Sequence, residues 1–265
     1  MFYRLAGKLH PDVDADFYNQ ALNAKYKGQW DESLRLNQAA VLINSTNEAA
    51  WWNLGIAATA LRNWHEAVRA WHALGITFQV EMPEPLMEPS TACVRLNPND
   101  NAEVVWGTRI DPARMVVNNV PLPESGRRYQ DVVLHDGAPS GTRTSQGYEY
   151  TVFDELELWH ASEYSTYEFE VHGADDAAVE KLRDICETAE MGVEDWSTLR
   201  YLCEECSRGN PDAHPCTRQD KMDAGMRRMS LAAVCREDAV KVLEAWLEEY
   251  PNVETSELEL SLSAD

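Results

Sequence analysis

The sequence predicts an α+β chain in three parts: helical hairpins first, a small, mostly antiparallel β-rich region next, and an α+β unit last. Three observations lead there. A 34-residue echo sets Phe17, Gly28-Gln29-Trp30 and Asp31-Glu32 in register with Trp51, Arg62-Asn63-Trp64 and His65-Glu66, the spacing of stacked helix–turn–helix units. Between Thr91 and Trp159, short β-rich runs are divided by turn-forming residues. From residue 165 onward, strand-like alternation and helical periodicity take turns. The parts span residues 1–80, 91–160 and 161–265.

Residues 13–45 and 47–78 each read as a helical pair. In the first, Phe17, Ala21 and Ala24 precede a break at Lys27-Gly28-Gln29, and Leu34, Leu36, Ala40 and Val41 follow at helical spacing. In the second, Asn47 is an N-cap before EAAWWNLGIAATAL, Arg62-Asn63 form the turn, and Trp64, Ala67, Val68, Trp71 and Leu74 share one face of the next helix. Residues 81–90, EMPEPLMEPS, read as a linker or extended crossover because of their prolines.

The β-rich runs are TACVRL, AEVVWGTRI, RMVVNNVPL, YQDVVLHDG and YEYTVFDELEL, with turn signals at Asn97-Pro98-Asn99-Asp100, Asp111-Pro112, Glu124-Ser125-Gly126 and Ser140-Gly141. They predict five to six strands in a sheet or partial barrel, with His135-Asp136-Gly137 as the turn after DVVL. Further on, STYEFEVH alternates as a strand, ADDAAVEKLRDICETAEMG is a capped amphipathic helix, and WSTLRYLC is another strand or short segment. REDAVKVLEAWLEEY is a helix stopped by Pro251, and VETSELELSL is a final strand. That order looks like a ferredoxin-like α+β unit.

Trp51, Leu54, Gly55, Trp64, Ala67 and Trp71 fit the repeat pattern of the tetratricopeptide (TPR) family, and residues 14–78 resemble it. The departures are Ala58 where Tyr is usual, Leu74 for the later Ala, the lack of a closing Pro, and Ala21, Ser33 and Asn37 at signature positions of the first repeat. The resemblance implies a non-enzymatic protein-binding role. It places the ligand in a groove lined by the first helix of each repeat, here Tyr18, Asn19, Leu22 and Lys25, then Trp52, Asn53, Ile56 and Thr59. Two repeats fall short of the roughly three needed for independent stability, so Met1–His10 or the region after residue 80 must cap them. If the β-rich region fills the groove itself, the repeats serve a structural assembly scaffold instead.

Charge narrows the partner. The chain carries a net charge of −22, which argues against nucleic acid and against anionic membrane surfaces, because both require Lys and Arg. Residues 1–80 are neutral, with 7 basic and 7 acidic side chains, whereas residues 149–265 hold 10 basic and 29 acidic ones. A basic protein partner is therefore expected, met by the acidic last part; an immunity protein neutralising a basic toxin or nuclease is the narrower form of that expectation. No apolar run suits a secretory signal or a membrane span, which predicts a cytoplasmic protein with reduced thiols.

Cys203, Cys206, His214 and Cys216 form the best chemical cluster, as the Cys-x2-Cys pair and a returning His-x-Cys could complete the tetrahedron of a structural zinc site. The His-x-Cys half is an uncommon spacing, and ordinary thiols with a loop histidine are the plainer account. Glu204 and Glu205 between the first two thiols oppose a redox role, which needs positive charge nearby. Phosphate-loop, GxSxG and HExxH motifs are absent. No catalytic residue is assigned and no cofactor beyond that zinc is expected, although a metal-containing enzyme with its site in the β-rich or terminal part is an alternative.

Overall fold

A computed structural model describes residues 14–81, 83–199 and 225–264. Four helices come first: α1 (Asp14–Lys25), α2 (Trp30–Ile43), α3 (Glu48–Ala60) and α4 (Trp64–Ala73). They form two hairpins whose turns repeat bond for bond. Gly28 N–H donates to the Lys25 carbonyl and Gln29 N–H to that of Ala24; 34 residues later Arg62 donates to Thr59 and Asn63 to Ala58. Gly28 and Arg62 both have positive φ, 64° and 56°, a conformation that is free for glycine and tolerated by arginine at a small cost. The Asn47 and Asn63 side chains cap α3 and α4 by accepting from the amides of Ala50 and Glu66.

The second hairpin packs an indole where the first has polar side chains. A Cβ on Gly55 would lie 2.5 Å from the Trp71 ring, so the indole packs directly on the backbone. In register, the first hairpin has Ala21 and the smaller Asn37. Asn37 donates from Nδ2 to the Ser33 carbonyl at 3.0 Å, and Ser33 Oγ donates to the Ala21 carbonyl at 3.1 Å. Polar side chains there bond within the hairpin instead of filling it.

Strands β1 (Ser90–Leu96), β2 (Glu103–Arg109), β3 (Arg114–Val117), β4 (Val132–Ser145) and β5 (Tyr148–His160) follow in sequential order and close into a barrel. All pairs are antiparallel except the closing one, where Cys93, Val94 and Arg95 lie parallel to Val152, Phe153 and Asp154. Ala92, Val94, Leu96, Val105, Met115, Val117, Val133 and Phe153 fill the interior.

Two turn signals behave differently from expectation. His135-Asp136-Gly137 and Ser140-Gly141 both lie inside β4; the hairpin turn is Gln146-Gly147, both with positive φ. The register with β5 shifts between His135 and Pro139 and again before Gly141. The turn-forming residues are thus absorbed as bulges, because pairing to β5 resumes beyond them.

The last part is a ferredoxin-like unit: β6 (Ser165–His172), α5 (Asp176–Thr188), β7 (Gly192–Asp195), β8 (Met226–Ala233), α6 (Arg236–Glu249), β9 (Glu254–Thr255) and β10 (Glu259–Leu262). The sheet order β10-β6-β8-β7 is antiparallel throughout, with β9 also paired to β6. Asp175 caps α5 by accepting from the Ala178 amide at 2.8 Å. Trp246 is fully buried and donates its indole N–H to the Ala178 carbonyl, tying α6 to α5.

The strand here, Gly192–Asp195, precedes the segment WSTLRYLC, whose Trp196–Thr198 is a 3₁₀ turn and whose residues 200–203 lie outside the described residues. Strand β8 was not anticipated. Met229, Leu231 and Ala233 face the helices while Ser230 and Ala232 are buried on the opposite face, so burial on both sides erases the alternation that identifies a half-exposed strand.

Candidate functional site

The groove residues assigned from the TPR resemblance meet the chain's own barrel. Lys25, at the end of α1, is buried and donates to both carboxylate oxygens of Asp136 on β4 at 3.0 and 2.9 Å. Tyr26 Oη donates to the same carboxylate at 3.0 Å. Trp52 lies over the β4 bulge so closely that a Cβ on Gly137 would be 2.8 Å from its ring. Ile56 packs with Leu134 and Ala113, and the Thr59 carbonyl accepts from the indole N–H of Trp159 at 3.3 Å.

Asn53 is buried and donates within α3 to Ala49, whereas Tyr18, Asn19 and Leu22 are only half-buried. The set therefore does not line an open channel. Lys25, Trp52, Ile56 and Thr59 form an internal joint, and the buried members of the set are closed to a partner. The reason is that two short hairpins leave an apolar face uncovered, and the barrel is the adjoining surface that covers it.

Arg114 on β3 reinforces this joint. Fully buried, it pairs with Asp111 and with Glu84 of the crossover, and its guanidinium lies 4.9 and 4.5 Å from the ring centres of Trp64 and Trp159. Trp30 adds an indole hydrogen bond to Glu157 at 2.8 Å. Such charges are tolerated in the interior because each is paired and hydrogen-bonded.

His135 and Asp136 point to opposite faces of β4, as adjacent strand residues must. Asp136 faces the helices. Burial pushes its carboxyl up, but the Lys25 charge and the hydrogen bonds from Lys25, Ala138 and Tyr26 hold it below its ordinary value. Burial lowers Lys25 despite the partner carboxylate. His135 is fully buried against Phe153, ring centres 4.7 Å apart, and burial drives it down to about 4. Its Nδ1 lies 2.8 Å from the Asp136 carbonyl; a carbonyl only accepts, so that nitrogen carries the proton. Asp136 holds the barrel to the helices while His135 packs on Phe153 inside the barrel, so the two do not form an acid–base pair.

The second joint lies at the other unit. Val120, Leu122 and Tyr129, from the β3–β4 connection, pack with Trp196 and Ala232 on the sheet face opposite the helices. Helices α5 and α6 are consequently turned away from the barrel. Glu180, Asp184 and Glu187 are exposed on α5, and Glu237, Glu244, Glu248 and Glu249 on α6, with Lys181 bridging to Glu249 at 3.3 Å. Sequence counting located the acidity in this part, but only the layer order shows that its helices point outward.

Cys203, Cys206, His214 and Cys216 lie outside the described residues. Among the described residues, no three His, Cys, Asp or Glu side chains group as a metal site. Cys93, Cys186 and Cys235 are free thiols; burial raises Cys93 to about 11 and Cys186 to about 12, which leaves them unreactive. No described helix is long and apolar enough to cross a membrane.

Neither a family model nor a curated protein matches the chain. A solved structure of a hypothetical protein from Neisseria gonorrhoeae aligns at 16% identity over 66% of this chain and 98% of that one, with a TM-score of 0.26. A likeness at that TM-score carries no argument about fold or role.

Proposed function

We propose that this is a non-enzymatic protein-binding protein whose basic partner docks on the outward acidic layer of α5 and α6. The observation that carries the reading is the division of surfaces: the barrel occupies the helical groove, while the acidic helices of the ferredoxin-like unit face away from it. The TPR-like hairpins then act as a cap that braces the barrel. A role as an acidic neutraliser of a cationic toxin or nuclease is the specific form of this proposal, since opposite charge speeds encounter and covers a cationic site.

Binding of a purified basic ribonuclease and of the basic proteins encoded beside this gene tests it, measured by interferometry at several salt concentrations. Replacing Glu180, Asp184, Glu187, Glu244 and Glu248 together by Gln is expected to weaken a genuine complex by roughly tenfold or more, mainly through slower association. Raising the salt should weaken the wild-type complex in the same way. Binding that ignores both the substitutions and salt, or that is lost only when helices α1–α4 are altered, overturns the assignment.

A further inference from the structure

The terminal sheet has two edges among the described residues, and the barrel covers only one. At β7 the barrel closes in: Asn119 Nδ2 donates to Glu194 at 2.6 Å, and a Cβ on Gly192 would lie 2.8 Å from the Tyr129 ring. The opposite edge is β10, which pairs with β6 through Glu259, Leu260 and Leu262; β9 continues the same edge. On its outer side, residues 259–262 make no backbone hydrogen bond to any described residue. Such an edge presents alternate N–H and C=O groups to an incoming strand.

The side chains along that edge restrict what can join it. Glu254, Glu257 and Glu259 are exposed, so a second copy of the chain laid on the edge would set glutamates against glutamates, which is unfavourable between neighbouring strands. A strand bearing lysine or arginine meets the same groups with opposite charge. Leu260 adds an apolar contact. It sits opposite Tyr167, which belongs to the core on the helical side of the sheet, yet Leu260 is 55% exposed. The Arg236 guanidinium is committed to the Leu258 carbonyl at 2.6 Å, and this bond sets the start of α6, with its exposed Glu237, beside the edge. The acidic helical layer therefore borders the open edge.

We propose that β10 is the docking edge for the partner and takes an extended basic segment by strand addition. Backbone bonds to residues 259–262 supply the attachment, and the side chains of the edge supply the selection. An added strand alternates its side chains between the two faces of the sheet, so apolar residues meet Leu260 on one face and basic residues meet Glu259 on the other. The inference rests on the basic-partner reading above and gives that partner a mode of attachment.

A blocked peptide of alternating valine and lysine, added to the whole protein, is the probe. At saturation, hydrogen exchange of alternate amides within residues 259–262 is expected to slow by about tenfold or more. The same peptide N-methylated at every residue keeps its charge and loses its donors, and should bind about tenfold more weakly or worse. Leu260→Lys and Glu259→Lys, both at exposed positions, should each weaken the unmodified peptide several-fold. Equal binding of the two peptides, protection that falls elsewhere, or no binding at millimolar peptide overturns the proposal. So does a dimer that protects the same edge without peptide, detected by sedimentation. A basic protein that binds in a salt-sensitive way while residues 259–262 stay unprotected overturns strand addition and leaves the basic-partner reading standing; edge protection by the peptide with no binding of a basic protein does the reverse.

Discussion

The two joints of the barrel are built from opposite materials. At the helical end, Lys25–Asp136 and Arg114 with Asp111 and Glu84 are matched ion pairs set among Trp30, Trp52, Trp64 and Trp159. At the other end, Val120, Trp196 and Ala232 pack with Leu122, Tyr129 and Tyr164, and Glu103 and Glu194 accept hydrogen bonds from the Leu122 amide and Asn119. The helical hairpins are therefore fastened to the barrel by paired charges and indoles, and the terminal unit by an apolar and aromatic cluster.

Substitution at Arg114 attacks the rigid joint most directly. Arg114→Ala leaves Asp111 buried without its partner and removes the contacts with two indoles, so a loss of about 3–5 kcal/mol is expected. Urea unfolding followed by intrinsic fluorescence would measure it. A loss under 1 kcal/mol would mean that the joint does not depend on the arginine.

Two buried titratable groups predict opposite pH trends. His135 is held down to about 4 in the folded protein, against about 6.5 when unfolded. The unfolded chain therefore binds the extra proton between those values, and stability is lost as pH falls from about 6.5 to 4, by up to about 3 kcal/mol. Glu103 retains its proton to about 7 when folded, so its contribution is lost instead as pH rises from about 4.5 to 7. His135→Gln should remove the acid-side loss and expose the Glu103 slope, seen as a Tm that falls from about pH 5 to about 7 and then levels off. If the Tm profiles of the variant and the wild type are parallel, His135 is not responsible for the acid-side term.

A smaller effect probes how tightly the first joint closes. Gly137→Ala would force the Trp52 ring away from the β4 bulge and should cost about 1–3 kcal/mol through overpacking. Thermal unfolding measures it, and Trp52→Leu in the same chain should recover part of the loss. Without such recovery, the cost belongs to the backbone of the bulge and not to the indole.

Legibility followed the range of the interactions. The helical turns at Gly28 and Arg62, the Asn47 and Asn63 caps, and the Pro251 stop close within a few residues and could be read directly. Strand β8 could not, because both its faces are covered. HDG looked like a turn and is a bulge, since its partner strand continues beyond it. Glu194 carried no motif; its bond from Asn119 requires the β3–β4 connection and the β7 edge to meet.

By itself, then, the sequence determined the repeat, the α+β class and the concentration of negative charge in the last part, because periodicity, capping and charge count are local or additive properties. The tertiary structure decided what fills the helical groove, which side the acidic helices face, and how the barrel meets the terminal sheet. Lys25 and Asp136 are 111 residues apart and Asn119 and Glu194 are 75 apart. Whether such residues touch depends on how whole layers pack, because burial, not sequence spacing, sets both the partner and the proton affinity of each.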